Sequence, residues 1–331
     1  MGHTKRKAPR RGSLQFRPHS RAKRMYPNIR NWPARPQVAP LGFSGYKAGM
    51  THVIVIDNRP KSPTKGEELR IPVTILEVPP IKVAGFRLYG RTTYGLKALG
   101  EVWTDKLDKE LAKVLLVPKK QNSKIDDLKA MLPKAESIRL LTYTQPYKLA
   151  FGKKTPDMFE TPLGGNVNDQ FTYASSVLGK EIKLADVFKE GEFLDVHSVT
   201  VGRGFAGVVK RFGVKTQRHK AEKGTREIAS MGPITPCWVG WWIAQPGGMG
   251  CHTRTEHNKQ LLKIAEVSKL NVNPSSGLMR YGLVTGEYAL IAGSVPGAKK
   301  RLVRLTHPIR PSRGAVNQAP EVVYVSTASQ I

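Results

Sequence analysis

VGRGFAGVVKRFG (Val201–Gly213) and GMGCHTRT (Gly248–Thr255) bracket the stretch on which the reading of this chain turns. The first follows a strand-like run, Phe193–Val201. Between Gly202 and Ile264 stand eleven Lys/Arg against three acids, Glu222, Glu227 and Glu256. From Lys215 to Thr235 neither a helical stripe nor strand alternation runs through the sequence, so that segment has no face to bury against its own chain. Its charge predicts a polyanionic partner.

Working outward, the bulk numbers agree. The chain has 331 residues, enough for a real core, and a net charge of +29. Self-repulsion at that charge calls for a counter-charged partner, and nucleic acid supplies one through counterion release. An anionic membrane is the weaker rival, because no long basic amphipathic helix is present to lie on it. No apolar run reaches the length of a membrane span. Arg6 stands where a myristoylation signal needs Ser or Thr, and prolines at 9, 18, 27, 33, 36 and 40 oppose the helix of a transit peptide. Two cysteines, Cys237 and Cys251, make no disulfide framework and lack paired zinc spacing, so a reducing, cytoplasmic setting is the simple expectation.

Residues 1–40 hold eleven Lys/Arg and no acid; the first carboxylate is Asp57. They are expected to be a basic extension without a packed core, ordered along a nucleic-acid groove. From Leu41 short β-branched runs separated by Gly/Pro turns argue for a small barrel. The turn-like GYKAGMT (Gly45–Thr51) precedes the strand HVIVI (His52–Ile56). IPVTILEV (Ile71–Val78) and IKVAGFRLY (Ile81–Tyr89) follow as further strands. Between Glu101 and Val196 fifteen acids match fifteen Lys/Arg, so this segment is neutral. DKLDKELAKVLL (Asp105–Leu116), SKIDDLKAML (Ser123–Leu132) and KLADVF (Lys183–Phe188) read as helices in it, and SIRLLTYT (Ser137–Thr144) as a strand. LMRYGLV (Leu278–Val284), EYALIAGSVP (Glu287–Pro296) and PGAKKRLVRLT (Pro296–Thr306) resume short strands, expected to close the barrel. The domain reading is a basic extension at 1–40, a β-barrel core at 41–100, 185–215 and 256–310, an inserted α/β module at 101–184, an arm at 202–264 and a tail at 311–331.

Gly202, Gly204 and Gly207 also spell G-x-G-x-x-G, and Glu227 falls where a dinucleotide site places its ribose-binding acid. The context fails. Val208–Gly213 leads into a basic, glycine-containing run instead of a full amphipathic helix, and Glu227 does not end an apolar strand. A nicotinamide-dependent oxidoreductase is therefore the alternative, and a free DNA-compacting protein, argued from charge alone, a third reading. The glycines are better explained by a tight turn where backbone approaches RNA backbone, with Arg203, Lys210 and Arg211 supplying charge.

At the same residues the chain resembles the universal large-subunit ribosomal protein family L-three. Phe188, Asp195, Ser198, Thr200, Gly202, Arg203, Gly204, Gly207 and Arg211 fill every constrained position of the family signature. GYKAGMTH (45–52), GCHTRTEHNK (250–259) and SVPGAKKRLVRL (294–305) look like family segments too. The long form, with its neutral insert and its CHTRT segment, is similar to archaeal and eukaryotic members. The resemblance implies a mainly β fold: a translation-factor-like six-stranded β-barrel, an inserted α/β module and long non-globular basic extensions. It implies an rRNA-threading arm that reaches towards the peptidyl-transferase centre, binding near the 3′ end of large-subunit rRNA, and a role early in subunit assembly. Ribosomal proteins L-fourteen and L-twenty-four-e are the implied neighbours, and catalysis of peptide-bond formation belongs to the RNA. Eukaryotic members carry a tryptophan at the arm tip, where GPITP (Gly232–Pro236) has Ile234 here; Trp238, Trp241 and Trp242 do not inherit its role.

The expectation is thus a non-enzymatic, structural rRNA-binding protein with no cofactor, small-molecule substrate or membrane partner. The residues expected to touch RNA are Lys5, Arg6, Lys7, Arg10, Arg11, Arg21, Lys23 and Arg24 in the extension, and Lys47 in the first core segment. In the arm they are Arg203, Lys210, Arg211, Lys215, Arg218, His219, Lys220, Arg226, Trp241, Trp242, His252 and Arg254. Lys299, Lys300 and Arg301 complete the set. The tryptophans serve either as base-stacking platforms or as a small hydrophobic cluster at the root of the arm. His219, His252 and His257 are expected to contact RNA or pack, since no acid is placed in sequence to orient an imidazole for catalysis.

Overall fold

The computed structural model describes residues 16–116, 125–221, 224–228, 230–232, 234, 235, 237–312 and 318–328. Lys5, Arg6, Lys7, Arg10 and Arg11 lie outside the described residues. The chain forms two compact units. One takes the described residues up to Lys23 together with Thr200–Thr253; the other takes Arg24–Val199 and residues from Arg254 onward.

The fold is mainly β. In chain order the strands are β1 (Gly42–Ile56), β2 (Glu68–Glu77), β3 (Ile81–Thr92), β4 (Gly95–Trp103), β5 (Ser137–Tyr143), β6 (Met158–Pro162) and β7 (Glu181–Ile182). They continue as β8 (Phe193–Val199), β9 (Phe205–Ala206), β10 (Gly247–Gly248), β11 (Thr253–Glu266), β12 (Glu287–Ala292), β13 (Leu302–Thr306) and β14 (Val322–Val325). The helices are α1 (Ile125–Met131), α2 (Val167–Val177) and α3 (Val208–Phe212). Among the described residues no helix is long and apolar enough to cross a membrane.

The larger sheet runs β13-β8-β11-β12-β2-β1, and β13 pairs again with β1, so the hydrogen-bonded order returns to its start. The length of β1 makes this possible. Gly42–Tyr46 pair with Leu302–Thr306, while Val53–Val55 pair with β14, and a bulge between Lys47 and Gly49 turns the strand from one partner to the other. GYKAGMT is therefore the bent middle of a strand and not a turn. Its glycine identity comes from close approach: a Cβ on Gly45 would lie 2.7 Å from Val78 Cγ1 and 2.9 Å from the Glu77 carbonyl oxygen. Phe43, Tyr46, Leu76 and Leu305 lie in one buried cluster; Val53, Ile75, Leu262 and Tyr288 in a second.

The second sheet runs β4-β3-β5-β6, with β7 added to β3. IKVAGFRLY belongs here and not to the ring. Pro79 and Pro80 have no N–H for a ladder, so the pairing of β2 cannot continue into β3. Residues 81–100, expected in the core, therefore stand in the second sheet. The helices of the insert differ from expectation as well. Asp105–Leu116 holds a single 3₁₀ turn, Lys109–Lys113, because Asp108 at its cap makes no capping bond. That carboxylate accepts instead from Lys82 Nζ at 2.6 Å and Tyr143 Oη at 2.7 Å. α1 gives way to a 3₁₀ turn containing Pro133, Lys183–Phe188 holds only the 3₁₀ turn Leu184–Asp186, and α2 appears where no helix was expected.

Three further corrections follow from pairing. Residues 256–264, assigned by sequence to both core and arm, lie in β11 and hence in the sheet. Leu278–Val284 is a loop with one bridge, Leu278 to Gly282. The buried Glu77 carboxylate holds the end of this loop, accepting from Tyr281 Oη, Thr285 N at 2.8 Å and Gly286 N at 3.1 Å. The tail contributes β14 to the sheet. Nor does the basic extension stay free of packing, since Pro27, Ile29 and Pro40 are buried.

Candidate nucleic-acid interface

The unit formed by Thr200–Thr253 and the N-terminal segment is organised by a paired base. Phe205 and Ala206 of β9 face Gly248 and Gly247 of β10. Arg203 N donates to Met249 O at 2.8 Å, Met249 N to Gly204 O at 2.8 Å, and Thr200 N to His252 O at 2.9 Å. Arg211 reinforces the base by donating from Nε to Gly248 O at 3.0 Å and from Nη1 to Gln245 O at 2.8 Å. The closing Arg of the signature thus clamps two segments of its own chain. Two of its donors are thereby taken up inside the chain, where the sequence had it supplying charge to RNA backbone.

Of the three signature glycines only Gly204, at φ +70°, needs the left-handed region. A Cβ on Gly204 or Gly207 would meet nothing within 4 Å, and one on Gly202 only the Cys251 Cβ at 3.7 Å. α3 spans five residues and stops at Gly213, φ +67°. So short a helix offers little dipole to a pyrophosphate, and Glu227 lies on no strand.

The N-terminal segment lies along the same base. Ala22 N donates to Cys251 O at 2.8 Å, and the His252 ring Nδ1 meets Ser20 O at 2.8 Å. The His19 ring stacks on Phe212 at 4.8 Å, and the Arg17 guanidinium lies 4.7 Å from the centre of the same ring. Arg17 also donates to Trp241 O at 2.8 Å. His252, expected on RNA, is therefore buried inside the protein. Arg17 and Phe212, which sequence did not single out, hold the unit together; an arginine in a basic run looks the same whether it meets a phosphate or a ring.

The exposed cations make up the rest of the surface. Arg203, Lys210, Lys215, Arg218, Lys220 and Arg226 are all exposed, as are His219, Arg21 and Lys23. Among the described residues no carboxylate comes within ion-pair distance of any of these lysines and arginines. Trp238 and Trp241 each meet the Trp242 ring edge-on at 6.1 Å. They remain 61% and 64% exposed, with Trp242 at 40%, so the cluster keeps open ring faces as well as mutual contacts.

In the sheet-bearing unit the expected contacts divide. Arg24 and Lys300 are exposed, and Arg254 is half-buried on β11. Lys47 is turned inward, its Nζ donating to Val295 O at 2.5 Å and Gly297 O at 3.4 Å, and burial lowers its pKa. Lys299 Nζ donates to Met279 O at 2.7 Å, and Arg301 Nη1 to Val199 O at 3.0 Å. Lys47 on β1 and Arg301 before β13 thus tie loop and strand together, and Lys299 ties one loop to another. His257 does have an orienting acid: its Nδ1 stands 2.7 Å from Oδ2 of the fully buried Asp195, whose carboxylate also accepts from Asn258 N and Ile309 N. Among the described residues no nucleophile joins that pair by a hydrogen bond, and its other partners are the main-chain amides of Asn258 in β11 and of Ile309 after β13.

Comparison with known proteins gives a family for this arrangement. The family model for Ribosomal protein L3 matches residues 1–331. The chain is 47% identical over 326 residues to the large ribosomal subunit protein uL3 of Archaeoglobus fulgidus, covering 97% of this chain and 98% of that one. It is 46% identical over 329 residues to the protein of the same description from Methanopyrus kandleri, covering 97% and 91%. Against that of Methanocaldococcus jannaschii identity is 44% over 327 residues, covering 97% of each.

Proposed function

Since the chain belongs to the ribosomal protein L3 family over its whole length, we propose that it is a structural constituent of the large ribosomal subunit that binds large-subunit rRNA near its 3′ end. It does so as a scaffold and not as an enzyme, early in subunit assembly. The ring of β1, β2, β12, β11, β8 and β13 is the translation-factor-like barrel of that scaffold, and Ile81–Ile182 carries the inserted module. The arm leaves after Val199, reaches towards the peptidyl-transferase centre and returns into β11, with L-fourteen and L-twenty-four-e as neighbouring proteins.

The observation that carries this reading is the unit of Thr200–Thr253, where exposed cations with no carboxylate partner among the described residues follow a firmly paired base. Phosphate and shape contacts then outweigh base readout. Affinity for rRNA should fall steeply with salt, by roughly 0.7–0.9 log units per tenfold salt for every phosphate neutralised. Filter binding from low to moderate salt measures that slope. A flat response, or a chain that sediments free of ribosomal subunits from gently lysed cells, contradicts the proposal.

A further inference from the structure

A cavity of about 390 Å³ opens in the sheet-bearing unit, between the segment Arg24–Trp32 and strands of the second sheet. That volume sits at the small end of the roughly 300–1,000 Å³ usual for ligand sites, room for one nucleotide but not a helix. Aromatic rings line it, with Tyr26, Trp32, Trp103 and Phe159 all contributing. So do four arginines, at positions 24, 87, 139 and 304, while Glu160 is the one carboxylate among the lining residues.

Glu160 is already committed. Its carboxylate accepts from Arg87 Nη1 at 2.7 Å, Arg139 Nη1 at 3.2 Å and Tyr89 Oη at 2.8 Å. Arg304 is fully buried, with its guanidinium 4.2 Å from the Phe159 ring centre and 5.5 Å from that of Trp32. Its guanidinium donates to two carbonyls, Glu160 O at 2.9 Å and Pro27 O at 3.4 Å. Burial pushes its pKa down to about 9, so it stays charged at neutral pH. Arg24 is exposed, donating to Tyr26 Oη at 3.1 Å. The cavity therefore combines aromatic faces with an excess of positive charge, the pairing that holds splayed bases and their phosphates.

Resting on the rRNA reading above, we propose that this cavity receives a single unpaired nucleotide of the large-subunit rRNA, its base against the tryptophan rings and its phosphate at Arg24. A free mononucleotide is the poorer occupant. No glycine turn lines the cavity to cradle a phosphate with main-chain N–H groups, so the affinity must come from the RNA strand to which the nucleotide is joined.

The full-length chain and a large-subunit rRNA transcript test this. Ultraviolet crosslinking should join one nucleotide to a peptide holding residues 24–32 or Trp103. Trp103→Ala should weaken rRNA binding about 5- to 100-fold, as expected for one lost stacked base, and Trp103→Phe should restore most of it. Arg24→Ala, at an exposed position, should reduce the salt slope by about one phosphate. It also decides the matter if Trp103→Ala lowers the melting temperature. Free AMP at millimolar concentration should not compete; competition would make the cavity a mononucleotide site and overturn the proposal. Parental affinity in both Trp103→Ala and Arg24→Ala, with affinity lost in Lys215→Ala/Arg218→Ala, would overturn it while leaving the rRNA reading intact. Absence of rRNA binding by the parent would remove both.

Discussion

The carbonyl oxygen of Val201 lies 2.0 Å from the place a Cβ on Gly250 would occupy, and Gly250 holds φ +75°. Any other residue here must move the Val201 carbonyl and accept left-handed strain together, a cost of at least about 1–3 kcal/mol. Gly250→Ala should therefore unseat the pairing of Val201–Ala206 with Gly247–Cys251. In limited proteolysis of the free chain, cleavage between residues 200 and 253 should accelerate while cleavage within β1–β3 keeps the parental rate.

Gly248 makes the opposite case. Its backbone is outside the left-handed region and a Cβ there meets nothing within 4 Å, so the fold does not require glycine. Gly248→Ala should change stability by no more than about 0.5 kcal/mol. If the empty space belongs to an RNA backbone, rRNA affinity falls at least severalfold in the same variant. Thermal melting paired with filter binding separates the two effects.

Asp195 is fully buried and satisfies His257 Nδ1 at 2.7 Å, Asn258 N at 3.0 Å and Ile309 N at 3.1 Å. Asn258 holds φ +54°, a conformation kept by that amide bond. Asp195→Ala strands three donors and should cost about 3 kcal/mol, read as a shifted denaturant midpoint with unchanged slope.

His197 gives the protein an acid limit. Its ring nitrogens meet Thr255 Oγ1 at 2.8 Å and Thr306 Oγ1 at 3.0 Å. Burial pushes its pKa down from 6.5 to about 4; Asp195 opposes the shift, and Arg304 and His257 add to it. Between those values the unfolded chain binds the proton that the folded chain refuses, so stability is full above pH 6.5 and declines as pH falls towards 4. Below that the His197 contribution is constant, and further acid loss comes from carboxylates held below their usual range, such as Glu192 beside His307 and Arg35. The loss from His197 is about 3 kcal/mol. His197→Gln should flatten this segment of a stability–pH curve measured by chemical denaturation.

Local pattern announced much of the fold. The short apolar-rich runs that become β5, β8 and β12 read as strands in sequence, and the missing periodicity of Lys215–Thr235 marks the segment that forms no helix or strand among its described residues. Partner choice is another matter. Whether β3 joins β2 or β5 depends on residues 48 to 61 positions away, and the second of the two strands flanking the end of β1 comes from the tail. Glycines near residue 45 look alike whether they make a turn or admit a neighbouring strand, which is why GYKAGMT misled. The site was legible as a density of charge but not residue by residue. Lys47, Arg211, Lys299 and Arg301 are cations in sequence and clamps in the structure.

The pairing of β9 with β10 makes residues 207–246 a closed excursion: the chain comes back to within a hydrogen bond of where it set out. For such a loop, doubling the number of residues costs only about 0.6 kcal/mol of closure entropy. Beyond the Arg211 and Phe212 contacts that brace the base, length and composition between Gly213 and Gly240 can thus change at little cost to the pairing of β9 with β10. The part of the molecule that must fit a particular stretch of RNA is the part whose revision the fold hardly notices.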